Sequence, residues 1–134
     1  MMKTFSVILI SILCTGLLAQ TNDMAELTGF FDGKYEFNPV KKGMEVNFLK
    51  DNEIIRTEYF RATEINWEEI YFNENDRVIV ITCKDFYPKC IDRKIIKTKS
   101  RNQYSKTTLK IDEARANEAI DLLKSLFADS KKGD

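Results

Sequence analysis

The chain has 134 residues, of which 43% are hydrophobic and 31% charged, with 21 basic and 21 acidic side chains. This length suits one domain with one hydrophobic core, and the composition excludes disordered and collagen-like proteins. The chain contains no histidine, which removes the most common general base and metal ligand.

The N-terminal segment has the pattern of a secretory signal peptide. Lys3 precedes a short apolar run, and polar residues follow Ala19. The run is shorter than the about 20 residues that a membrane-spanning helix needs. Residues 1–19 are therefore interpreted as a cleaved signal, which predicts a secreted or periplasmic protein with no membrane span after cleavage. An uncleaved N-terminal anchor is the alternative, whereas Leu13 before Cys14 argues against lipid attachment at that cysteine.

Short runs of alternating apolar residues fill the region after the signal. Residues 20–32 form a lead-in with a helical turn at Met24–Leu27, and residues 33–129 form the domain. The predicted strands are Lys34–Phe37, Met44–Phe48, Ile54–Phe60, Ile65–Phe72, Val78–Ile81, Ile91–Ile96 and Asn102–Leu109. Strict alternation places Met44, Val46 and Phe48 on one buried face, while four β-branched residues at Val78–Ile81 indicate a strand buried on both faces.

Two cysteines remain once the signal is removed, Cys83 and Cys90, with Pro88 between them. An even number of cysteines in a small exported chain is typical of a disulfide. Two cysteines without histidine do not complete a tetrahedral zinc site, and redox pairs usually have the closer Cys-x-x-Cys spacing. The sequence therefore predicts a structural disulfide, with no metal and no cofactor.

The end of the chain changes to a helical period. Asp112 is the predicted N-cap, and the helix is expected to end near Ala128, before a polar tail at residues 130–134. Its apolar stripe consists of Ala116, Ala119, Ile120, Leu123 and Phe127. We expect this stripe to pack on the sheet.

These elements predict an α+β fold, with an about seven-stranded antiparallel, strongly bent sheet or partial barrel packed by one C-terminal amphipathic helix. From Gly33 to Ala128 this order resembles the pleckstrin-homology-like fold. The resemblance implies an anionic head-group site between the first two strands, where Lys41 and Lys42 lie. Many members have a tryptophan in the final helix, whereas Trp67 lies in a predicted strand. A cystatin-like α+β sheet is the alternative fold.

Charge is unevenly distributed along the chain. Residues 20–82 contain 13 acidic and seven basic side chains, and residues 84–110 contain nine basic and two acidic ones. The candidate face for an anionic partner comprises Lys89, Arg93, Lys94, Lys97, Lys99, Arg101 and Lys106, predicted along two neighbouring strands and their turn. Phe86, Tyr87 and Tyr104 are interspersed with them. The alternative is a solvated edge, because lysines also protect edge strands from aggregation.

Catalysis has little support. Glu64, Glu68 and Glu69 are the candidate acids for a carboxylate-dependent hydrolase, but neighbours on a strand point to opposite faces. Asn73–Asp76 lacks the glycine and distal glutamate of a known calcium loop. We expect a secreted small binding module, non-catalytic, whose partner is an unknown protein, glycan or anionic ligand; neutral charge and export argue against nucleic acid. The alternatives are a structural or accessory cell-envelope protein and a small hydrolase.

Overall fold

The computed structural model describes the backbone of residues 23–132 and the side chains of residues 23–127. The predicted signal at 1–19, with Cys14, lies outside the described residues. Helix α1 is described from residue 23 to residue 30. The other elements are β1 (Tyr35–Val40), β2 (Gly43–Lys50), β3 (Glu53–Arg61), β4 (Tyr71–Asn73), β5 (Val78–Thr82), β6 (Ile91–Ile95), β7 (Arg101–Tyr104), β8 (Lys106–Lys110) and α2 (Glu113–Lys132).

The strands form two antiparallel sheets, which confirms the α+β class. The larger sheet has the order β1-β2-β3-β6-β7, and the smaller one has the order β4-β5-β8. Within the described residues neither sheet closes on itself, so the partial barrel is not confirmed. Strand β1 extends to Val40 because Pro39 lies on the edge strand opposite Met44, where the missing N–H does not interrupt the sheet.

One core lies between the sheets and the final helix. The inner face of β2 contributes Met44, Val46 and Phe48, each 7% exposed or less, as the alternation predicted. Val78–Ile81 is buried throughout, which confirms that prediction. The α2 stripe is also buried, with Ala116, Ala119, Ile120, Leu123 and Phe127 all at 8% exposure or less. Helix α2 continues to Lys132, beyond the predicted end near Ala128.

The prediction of a strand at Ile65–Phe72 is wrong over most of its length. Two short 3-10 turns occupy Ala62–Glu64 and Trp67–Glu69, and only β4 is extended. The Trp67 indole donates a hydrogen bond to the Ala62 carbonyl at 2.8 Å, and its ring stacks on Phe127 of α2. Ile65 and Trp67 gave the alternation that indicated a strand. Both side chains are buried, but the turns, not a strand, place them in the core.

The predicted strand Asn102–Leu109 is two strands in different sheets. Strand β7 pairs with β6 in the larger sheet, and β8 pairs with β5 in the smaller one. The chain crosses at Ser105, whose carbonyl accepts a hydrogen bond from the Cys83 amide at 2.9 Å. Among the described residues, no helix is long and apolar enough to cross a membrane.

Candidate functional site

The outer face of the larger sheet is built from two rows of polar side chains that run across the strands. The first row consists of Glu36, Asn47, Thr57, Lys94 and Arg101, one from each of β1, β2, β3, β6 and β7. The second row consists of Asn38, Glu45, Tyr59, Asp92 and Gln103. Each row follows from strand alternation, because intervening positions on β1, β2, β3 and β6 are buried in the core, whereas all four residues of the edge strand β7 are exposed.

Hydrogen bonds hold several of these side chains in place. The Thr57 hydroxyl donates to Asn47 Oδ1 at 2.9 Å, and the Asn47 amide donates to Glu36 at 3.4 Å. In the second row Gln103 Nε2 donates to Asp92 Oδ1 at 2.9 Å. The polar floor is therefore preorganised on a rigid sheet.

A groove of about 600 Å³ lies on this face, lined by residues of β2, β3, β6 and β7. Thr57 and Tyr59 form part of the floor, and Lys94 and Arg101 lie on one side. Ile96 lines the same groove and is 40% exposed. The groove thus combines hydroxyl and amide groups, an aromatic ring and a small apolar surface. Its charged lining includes the cations Lys94 and Arg101 and the carboxylates of Glu45 and Asp92.

The structure brings together only part of the predicted anionic-partner face. Lys94 and Arg101 are direct cross-strand neighbours, so their side chains leave the sheet side by side. Lys97 and Lys99 are exposed in the turn that joins β6 to β7. These four residues form the basic corner of the outer face.

Arg93 borders the groove, but its guanidinium does not join the basic corner. Arg93 lies on the inner face, where its guanidinium pairs with the fully buried carboxylate of Glu58 and lies 3.8 Å from the centre of the Tyr104 ring. Arg56 approaches the same carboxylate oxygen at 3.1 Å. Burial lowers the pKa of Arg56, as does the positive charge of Arg93, whereas Glu58 opposes the change. Arg93 is therefore part of an internal ionic cluster.

Two further predicted residues lie away from the basic corner. Lys106 begins β8 in the smaller sheet, so it does not share a sheet with Lys94. Lys89 is exposed in the loop before β6, and its carbonyl accepts a hydrogen bond from Arg61 at 2.7 Å. Arg61 in turn pairs with Asp92 and Glu64, at 2.7 and 2.9 Å.

The disulfide between Cys83 and Cys90 is present, with the two Cα atoms 5.7 Å apart. It closes a loop that contains Phe86, the most exposed large apolar residue described, at 91%. The neighbouring Tyr87 is 47% exposed. We refer to residues 83–90 as the stapled loop.

The three candidate catalytic acids, Glu64, Glu68 and Glu69, have different surroundings. Glu64 is held by Arg61, while Glu68 and Glu69 are exposed on a 3-10 turn. The loop at Asn73–Asp76 is folded around the Asn73 side chain, which accepts from the backbone amides of residues 75 and 76. In the described part of the chain no group of three or more acidic or cysteine side chains is arranged to hold a metal ion.

The sequence did not identify Asn47, Thr57, Tyr59 or Gln103 as site residues. A signal was available in β3, where Thr57 and Tyr59 alternate with buried Glu58 and Phe60. No protein-family model, curated protein or solved structure matches this chain.

Proposed function

We propose that this protein is an exported, non-catalytic binding module and that the groove on the outer sheet face binds an acidic saccharide. The observation that carries this proposal is the cross-strand pair Lys94 and Arg101 beside a hydrogen-bonded polar floor in an open groove of about 600 Å³.

The groove has separate sites for the two kinds of group that an acidic sugar presents. Lys94 and Arg101 would hold a carboxylate or sulfate, and Arg does so through two parallel N–H bonds. Glu45 in the second row would repel an anion but accept hydrogen bonds from sugar hydroxyls, whereas both carboxylate oxygens of Asp92 are already held by Arg61 and Gln103. This difference between the rows would orient the ligand across the strands.

Export is supported by the stapled loop. Structural disulfides persist in oxidising compartments and are rare in the cytosol. The signal-like N-terminal segment and the disulfide therefore agree on a secreted or periplasmic location. An acidic polysaccharide of a cell surface or matrix would be accessible there.

The decisive experiment compares saccharide affinity between charge variants. Heparin and oligogalacturonate are the probes, with neutral dextran as a negative control, and binding is measured by calorimetry at fixed salt. The double variant Lys94→Glu/Arg101→Glu should bind at least about tenfold more weakly, since each charge-assisted hydrogen bond contributes about 1.5–3 kcal/mol.

The matched control is Lys106→Glu/Lys110→Glu, which changes the net charge equally on the smaller sheet. This control should retain most of the affinity. An equal loss of saccharide affinity in both double variants would show that attraction depends on net charge alone. That result would reject the groove on the outer sheet face as the binding site. If neither heparin nor oligogalacturonate binds, the alternative function, a structural or accessory cell-envelope protein, is favoured.

A further inference from the structure

Hydrogen bonds and the disulfide hold the backbone of the stapled loop. Within the loop, the Tyr87 amide donates to the Lys84 carbonyl at 2.9 Å, and the Lys84 amide donates to the Glu64 carbonyl at 2.8 Å. Arg61 binds the Lys89 carbonyl on the other side of the base. With the disulfide, these bonds leave the loop little freedom to fold back, and Phe86 remains 91% exposed.

An exposed aromatic side chain on an ordered loop is a favourable anchor for association. Its apolar surface is removed from water on binding, and a loop that is already ordered loses little conformational entropy. Aromatic residues in such positions contribute most of the binding free energy in many interfaces. Phe86 therefore has the properties of an anchor residue for a protein–protein contact. We call the Phe86 side chain the knob.

A groove of about 650 Å³ between β4 and α2 has complementary properties. Tyr71 and Phe72 line it from β4, and Tyr71 is 52% exposed, which provides an aromatic surface. The charged residues that line this groove are Glu74, Glu113, Asp121 and Lys124. We call this the helix groove; its lining carries a net negative charge.

Charge on the stapled loop has the opposite sign. Lys84 and Lys89 flank the aromatic pair, with Asp85 as the one acidic residue of the loop. Lys106 lies opposite Thr82, the residue before the staple, and adds a further positive charge. An aromatic knob with basic flanks thus faces solvent on the same molecule as an acidic groove with an exposed tyrosine.

We propose that the stapled loop of one molecule docks into the helix groove of a second copy. Knob and groove are different surfaces, so the contact is heterologous and propagates head to tail into chains or closed rings. This association goes beyond the saccharide site and leaves the outer sheet face free. A single anchor predicts weak association, strengthened at low salt because the complementary charges are exposed.

The test measures the mass of the purified protein by sedimentation velocity from about 1 µM to about 1 mM, a range that covers weak dissociation constants. The wild type should form complexes of two or more copies as concentration rises, and fewer at high salt. Phe86→Ala removes the knob, and Asn117→Arg places a bulky cation in the helix groove; Asn117 is exposed on α2. Each variant alone should remain monomeric.

An equimolar mixture of these two variants distinguishes the proposed contact from other modes of association. Phe86→Ala keeps an open groove and Asn117→Arg keeps a knob, so the mixture should form dimers and nothing larger. Asn38→Arg and Ile54→Ala are the matched controls at exposed positions outside both surfaces and should associate like the wild type. A monomeric wild type, or a mixture that stays monomeric, would reject the proposal.

Folding and saccharide binding are checked in the same samples. Unchanged circular dichroism and thermal midpoints would show that both substitutions leave the fold intact. Phe86→Ala should bind heparin like the wild type, because the outer sheet face lies elsewhere. If Phe86→Ala loses self-association but still binds heparin, self-association and saccharide binding use different surfaces. The two proposals then stand or fall separately.

Discussion

Arg93 Nε lies 2.5 Å from Glu58 Oε2 on the inner face of the larger sheet, where the glutamate is fully buried. Arg56 shares the same carboxylate, and its guanidinium lies 3.9 Å from the centre of the Phe48 ring. Two arginines thus hold one buried anion between aromatic rings. The cluster fixes the pairing of β3 with β6 by charge as well as by backbone hydrogen bonds.

Replacing Glu58 with glutamine should therefore destabilise the fold strongly. Removal of the negative charge leaves Arg56 and Arg93 facing each other without compensation, and breaking a buried ion pair costs about 3–5 kcal/mol. Urea unfolding measures the loss. Glu45→Gln, on the outer face of the neighbouring strand, is the control and should change stability by less than about 0.5 kcal/mol. Equal stability of the two variants would contradict a structural role for the cluster.

Gly43 is predicted to be intolerant of any side chain. A Cβ atom at this position would lie 2.0 Å from the Phe60 carbonyl oxygen, so the β2–β3 pairing must shift to accept alanine. Such overpacking costs about 1–3 kcal/mol. Gly29→Ala is the matched control, because the added methyl group would meet no atom within 4 Å beyond its chain neighbours and the backbone of its own helix, and alanine favours a helix by about 1 kcal/mol. Urea midpoints should fall for Gly43→Ala and hold or rise for Gly29→Ala.

Tyr35 should make stability depend on pH in the alkaline range. Burial raises the pKa of its hydroxyl above the ordinary 10.0, an effect opposed by a hydrogen bond from the Lys110 amide and by the charge of Arg56. The native state then holds the proton more tightly than the unfolded chain. This contribution is fully present below pH 10 and is lost as pH rises through the raised pKa.

Tyr35→Phe tests the pH dependence. The variant should lose about 1 kcal/mol at pH 7, because the Lys110 amide loses its acceptor, but its stability should fall less steeply above pH 10. Unfolding free energies measured by urea at several pH values give both quantities. Parallel alkaline profiles for wild type and variant would show that Tyr35 does not control this dependence.

The spacing of apolar residues along one strand or helix correctly predicted which face of that element is buried. Alternation placed Met44, Val46 and Phe48 correctly, and the period of three and four residues identified the buried stripe of α2. Both patterns arise because one face of each element meets the core. They carry no information about which strands become neighbours.

Features that depend on contacts between distant residues were not predictable in this way. Arg93 has the same parity as buried Ile91, so alternation alone points it inward; what no local pattern shows is its partner Glu58, which is supplied from a different strand. No glycine or proline marks the crossing at Ser105, so its two strands were interpreted as one. All four residues of the basic corner, Lys94, Lys97, Lys99 and Arg101, belong to the candidate face that the sequence predicted, whereas the positions of Lys89 and Lys106 depend on the path of the chain between the sheets.

The stapled loop gives the final prediction, in which a count of thiols tests the disulfide and the signal together. The chain has three cysteines, so the unreduced native product should have no free thiol if residues 1–19 are removed and one, at Cys14, if they are retained. Cys83→Ser/Cys90→Ser should lower the unfolding free energy by about 2.5 kcal/mol, because the unfolded chain gains the entropy of an open loop. Wild type in reductant is the control. Two additional thiols in the native product, or an unchanged urea midpoint in the double variant, would contradict a stabilising staple.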